Sequence, residues 1–180
     1  MAVKICLTGG PCGDILREPT PSEIERKFLI EKPDVSGIPM CSKTDIIQTY
    51  LVSTNGTERR VRQRGTKESG FNFYYTEKTE VAFGERAEVE KRISMKEYVD
   101  YLTEADTSLN SIHKTRYCFL YKNQYFEMDF YPFSEDKAIV EIELNNINQA
   151  IEMPPFINVI KEVTNDNLYK NYSLAQSQKL

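Results

Sequence analysis

Ionisable side chains stand at every second position along several stretches of this sequence, and each stretch favours one sign. Glu23, Glu25 and Lys27 share one side, and so do Arg60, Arg62 and Arg64, with Val61 opposite. Arg86, Glu88 and Glu90 repeat the spacing, and Lys114 and Arg116 give it in basic form. Glu127 and Asp129 alternate with Phe126, Met128 and Phe130; Glu141 and Glu143 alternate with Val140, Ile142 and Leu144. In a half-buried strand such alternation is the solvated face, and any one stretch fits that account. Across six stretches, a sheet with a polar interior and an apolar exterior explains the set more simply. Like charges that close are unfavourable unless something binds between them. Carboxylate clusters take a hard cation such as Mg²⁺ or Mn²⁺, and Arg and Lys clusters take phosphate oxygens. Together they suit a phosphate chain chelated to a metal. A purely structural barrel would leave its inward carboxylates with no charge to meet.

The elements that must position these side chains read as strands from the period of two. The pattern predicts strands over 23–31, 45–53, 58–64, 71–79, 87–93, 114–121, 124–130 and 138–145. Asn55-Gly56 is a hairpin turn, and Lys122-Asn123 is a tight reversal. Residues 94–102 read as a helix, since Ser94 with Glu97 three positions on makes a capping box. A second helix is expected over 165–176. The fold class expected is α+β, mainly β: an eight-stranded antiparallel closed barrel with a few flanking helices.

Residues 1–22 differ from the rest. An apolar run over 3–8 leads into Gly9-Gly10-Pro11-Cys12-Gly13, the way a phosphate-cradling P-loop begins. The completing Gly-Lys-Ser/Thr is missing, because Asp14 follows Gly13. The expectation is a remnant of a P-loop nucleotide-binding domain and a linker over 1–22, with the barrel domain over 23–180. The four cysteines show no metal-ligand spacing, and His113 is the sole histidine, which argues against zinc and for a reduced, cytoplasmic protein. His113 is expected in a structural or solvent role. No apolar stretch approaches the ~18 residues of a membrane span. The net charge of -4 excludes a protein that coats nucleic acid through a general field, so anion binding must be local.

These residues resemble the CYTH, or triphosphate tunnel metalloenzyme, family. Glu23-Ile-Glu25-Arg-Lys27 resembles its ExExK opening, Gln48-Thr-Tyr50-Leu51 its QxYL and Arg60-Val-Arg62 its RxR strand. Thr76-Glu-Lys78, Arg86-Ala-Glu88-Val-Glu90 and Lys114-Thr-Arg116-Tyr117 follow in the family's order, as do the strands of Asp129 and Glu143. The resemblance spans about 23–176. Within the family, KICLTGGPCG and residues 58–64 and 118–126 are most similar to the eukaryotic branch that fuses a P-loop domain to the barrel, the TRPL-translocation-defect-like proteins.

The resemblance implies an eight-stranded tunnel and hydrolysis of a triphosphate: tripolyphosphate, a nucleoside triphosphate or thiamine triphosphate. It implies Mg²⁺ or Mn²⁺ held by Glu23, Glu25 and Glu143, with Asp129 or Glu141 holding a second metal or orienting water. Lys27, Arg60, Arg62, Lys78, Arg86, Lys114 and Arg116 would carry the phosphates. Tyr50 and Lys78 match a tyrosine–lysine base pair of the thiamine branch. The alternative is a non-catalytic module that holds GTP, polyphosphate or a phosphoinositide headgroup for regulation or trafficking. An adenylyl cyclase and an RNA 5′-triphosphatase stand further off, and DNA is not an expected partner.

Overall fold

The structure is a computed structural model, and it describes residues 2–7, 24–38, 41–54, 56–82, 85–144, 146 and 148–180. Ten strands and two α-helices are found among them. The strands are β1 (Ala2–Leu7), β2 (Ile24–Glu31), β3 (Ser42–Thr54), β4 (Thr57–Thr66) and β5 (Gly70–Ala82). They continue with β6 (Glu85–Ile93), β7 (Ile112–Tyr121), β8 (Gln124–Phe130), β9 (Lys137–Leu144) and β10 (Val159–Glu162). The helices are α1 (Met95–Leu102) and α2 (Asn171–Ser177). The chain divides into two units. One is built on Ile47–Ser111 with β1, the other on β2 through Ile46 and on Ile112–Leu180.

In the first unit the strand order is β1-β6-β5-β4-β3. β4 and β5 pair antiparallel with Arg60 opposite Thr76 and Glu58 opposite Lys78. β5 and β6 continue with Thr76 opposite Glu90 and Lys78 opposite Glu88. The period of two therefore gives this sheet two different faces. Leu51, Val61, Tyr75 and Ile93 make the apolar one, and Tyr98 of α1 closes it. Ser94 caps α1 by accepting from the Glu97 N–H, while Glu97 accepts from the Ser94 N–H in return. That cap sets the helix so that Tyr98 meets Phe73, and Tyr101 stacks on Tyr75 at 4.8 Å.

In the second unit the order is β7-β8-β9-β2-β10. Its apolar face gathers Phe28, Ile30, Phe126, Met128, Val140 and Ile142, with Phe119 stacked on Phe126 at 5.3 Å. The β7–β8 reversal is a two-residue turn in which Lys122 and Asn123 both take positive φ, 47° and 61°. This is the conformation that matches the twist of the flanking strands.

Three expectations are corrected. Among the described residues the strand order runs from β1 to β10 with no ladder joining the two ends, so the expected closed barrel is not found, and ten strands stand where eight were expected. Nine strands run antiparallel and β1 adds to β6 in parallel. β10 takes the outer edge of β2 and β1 the outer edge of β6, and among the described residues the ladders stop at these two added strands. The predicted helix over 165–176 is a 3-10 turn (Asn167–Tyr169) followed by α2. Lys170 between them is extended, which interrupts the helical hydrogen bonds. β10 is new: four exposed residues with no alternation to mark them. The segment runs along β2 because Val163 N–H donates to the Lys27 carbonyl at 2.8 Å and Glu31 N–H to that of Asn158 at 3.0 Å. The P-loop-like sequence from Thr8 to Ser22 lies outside the described residues.

Candidate functional site

The face opposite the apolar one is charged in both units, and some of its polar side chains are buried. In the first unit Arg60 and Thr76 are 9% and 0% exposed; in the second, Lys114 and Asp129 are 7% and 0% exposed. This overturns the solvated-face account, since a charged residue is almost never fully buried unless it is paired.

On the first unit, strand pairing aligns β3, β4, β5 and β6 side by side. Arg60 Nη2 meets Glu88 Oε1 at 3.2 Å, and Lys78 Nζ meets Glu88 Oε2 at 2.9 Å. Arg62 pairs with Glu90, which also accepts from Thr76 Oγ1 at 3.0 Å. Burial, with Arg60 nearby, lowers the proton affinity of the Arg62 guanidinium despite Glu90. Tyr50 is buried beside Arg60, and burial pushes its phenol well above the ordinary value, further than Arg60 and Arg62 pull it down. That direction opposes service as a base and suits a hydrogen-bonding role.

On the second unit, the register pairs Glu25 with Glu143 and Lys27 with Glu141. It also pairs Arg116 with Asp129 and Glu127 with Glu141. Arg116 is the hub. Its Nε donates to Asp129 Oδ1 at 2.6 Å, and its Nη2 to Asp129 Oδ2 at 2.7 Å and Glu141 Oε2 at 3.0 Å. It also pairs with Glu127, while Lys114 holds Asp129 and Lys27 Nζ meets Glu141 at 2.6 Å. Burial would raise the Asp129 carboxyl, but Lys114 and Arg116 outweigh it and hold it at about 2. Glu141 is lowered for the same reason, by Lys114 and Lys27 against burial. Burial also lowers Lys114, whereas Glu141 raises Lys27 against its own burial.

The sequence-predicted residues thus fall into two groups. Tyr50, Arg60, Arg62 and Lys78 come together on one unit; Lys27, Lys114, Arg116, Asp129 and Glu141 come together on the other. Glu25 and Glu143 lie on that second sheet as exposed cross-strand partners. Glu23 and the Arg86 side chain lie outside what the structure describes. The expectation that inward carboxylates would meet no charge is not met. Asp129, Glu141, Glu88 and Glu90 are each matched by Lys or Arg of their own sheet. His113, for which a structural or solvent role was expected, is exposed. Two residues were passed over as site residues: Thr76, which braces Glu90, and Gln48, 2% exposed on β3. Each stands in a motif quoted above, so the signal was present.

The donor set can be weighed against a divalent cation. Glu25 and Glu143, opposite each other across β2 and β9, offer the carboxylate oxygens that a hard divalent cation takes. Asp129 fits one only if Lys114 and Arg116 release it. Among the described residues no three His, Cys, Asp or Glu side chains converge as a metal site.

No protein-family model matches the sequence, and no curated protein is significantly similar to it. Solved structures are. The inorganic triphosphatase NE1496 is 31% identical over 86% of this chain and 95% of its own, with a TM-score of 0.62. A second structure of NE1496 gives 31%, 86%, 98% and 0.62. The chain belongs to the family of that triphosphatase, the CYTH or triphosphate tunnel family. No helix among the described residues is long and apolar enough to cross a membrane.

Proposed function

We propose that this protein hydrolyses a phosphoanhydride bond of a triphosphate, with tripolyphosphate as the first candidate. The observation that carries the reading is the 31% identity with an inorganic triphosphatase across 86% of the chain. The buried charged faces support it, since both signs are held ready in places that shield them from water.

Each residue's role follows from its own sheet. Arg60, Arg62 and Lys78, with Arg86 as an expectation, bind phosphoryl oxygens on the first unit; Lys27, Lys114 and Arg116 do so on the second. Glu25 and Glu143, together with Glu23, hold Mg²⁺ or Mn²⁺. A bound divalent ion supplies charge neutralisation and an activated water. Asp129 and Glu141 hold Arg116 and Lys27 in place and take part in metal binding only on release from those cations. Tyr50 positions Arg60 through its hydroxyl. The barrel domain beginning near residue 23, the preceding P-loop remnant and the kinship with the P-loop-fused branch belong to the same proposal.

A metal-dependent phosphate-release screen over tripolyphosphate, thiamine triphosphate, GTP and ATP tests it, run beside calorimetry. Release from at least one of them, abolished by chelation, is the expected outcome. Binding without release above background would replace hydrolysis by the binding-module reading.

A further inference from the structure

We propose that Gln48 is a substrate-binding residue, donating its side-chain amide to a phosphoryl oxygen held at Arg60. Among the described residues, two buried side-chain polar atoms have no hydrogen-bond partner, and they are Gln48 Nε2 and Arg60 Nε. Both belong to the first unit, and both residues are at least nine-tenths buried.

A buried donor left unpaired is destabilising, so each orphan calls for a reason. Packing supplies none, because an apolar side chain of the same size would fill the Gln48 position without that cost. A missing acceptor supplies one for both. Gln48 and Tyr50 lie two residues apart on β3, on one side of the strand and about 7 Å along it. Tyr50 in turn stands beside Arg60. The two orphan donors therefore belong to one charged face, together with Arg62 and Lys78. Carboxylates already meet the terminal nitrogens of Arg60 through Glu88 at 3.2 Å, and its Nε is the part left over.

The acceptor must be an oxygen that can follow both donors. A polyphosphate carries such oxygens along its length, and a neutral amide adds a donor without adding charge. Gln48 would thus select for phosphoryl oxygen by direction, where the cations select by charge. The inference rests on the triphosphate reading given above.

The test compares the full chain with Gln48→Met and Gln48→Glu, by calorimetric titration with tripolyphosphate and by thermal melting without it. Gln48→Met is expected to weaken binding about tenfold, the loss of one hydrogen bond to a charged group. Its melting temperature without ligand should stay level or rise, because the unpaired donor is gone. Gln48→Glu should bind more weakly still, since its carboxylate faces phosphate. Unchanged binding by Gln48→Met overturns the inference and leaves the triphosphate reading standing. A lowered melting temperature, or failure to fold, overturns it too by showing that the amide serves the protein itself. If the unsubstituted chain binds no tripolyphosphate, both readings fall.

Discussion

Asp129 and Glu25 show how two carboxylates of one sheet come to different uses. Asp129 is fully buried and engaged by Lys114 and Arg116. Its folded-state pKa lies below the unfolded value, so its contribution is present above about pH 4. That contribution is lost as pH falls from about 4 to about 2. Acid unfolding followed by circular dichroism should therefore show stability declining across that window, and Asp129→Asn should flatten the decline. The same substitution leaves two cations buried and short of a partner, at a cost of about 3–5 kcal/mol in denaturant unfolding. A cost near zero would mean that the network is not formed. Glu25 is exposed, so Glu25→Gln should leave the unfolding midpoint unchanged and remove metal-dependent phosphate release. Tyr50 makes a third case. Because burial holds its phenol protonated, Tyr50→Phe should leave the shape of the pH–rate profile below pH 10 unaltered. A lost basic limb would restore the phenol as a base.

At the scale of elements, alternation told strand from helix well where each face met a different environment. β8 is bounded as the pattern predicts, and β4, β5 and β7 run only a few residues beyond it. The capping box of Ser94 and Glu97 marked the start of α1. Ser94→Ala should cost about 1 kcal/mol in thermal or denaturant unfolding, because one N-terminal donor loses its acceptor. β10 was not legible, since all four of its residues are exposed and its backbone pairing with β2 leaves no mark in hydropathy. That the sheet would end in two added edge strands, against the closed barrel expected, was not legible either. Alternation fixes which face a side chain takes, but it says nothing of which strand edges are filled, and β1 and β10 fill two of them.

Over the whole molecule, each unit has one apolar face and one charged face, and the charges were the part read most directly from sequence. What sequence did not give was their internal pairing. Carboxylates and cations two strands apart in the chain meet because sheet register brings them together, as Arg116 meets Glu141. In a chain of net charge -4, the buried cations of both faces are matched by carboxylates of their own sheets. The proposed hydrolysis requires those cations to exchange internal carboxylates for phosphoryl oxygens. The most direct measurement is phosphate release from tripolyphosphate by the full chain, with Mg²⁺ or Mn²⁺ and with a chelator, beside Glu25→Gln. The account predicts release that needs the metal and falls by orders of magnitude in the variant. Full release by Glu25→Gln, or none from the unsubstituted chain with either metal, would contradict it.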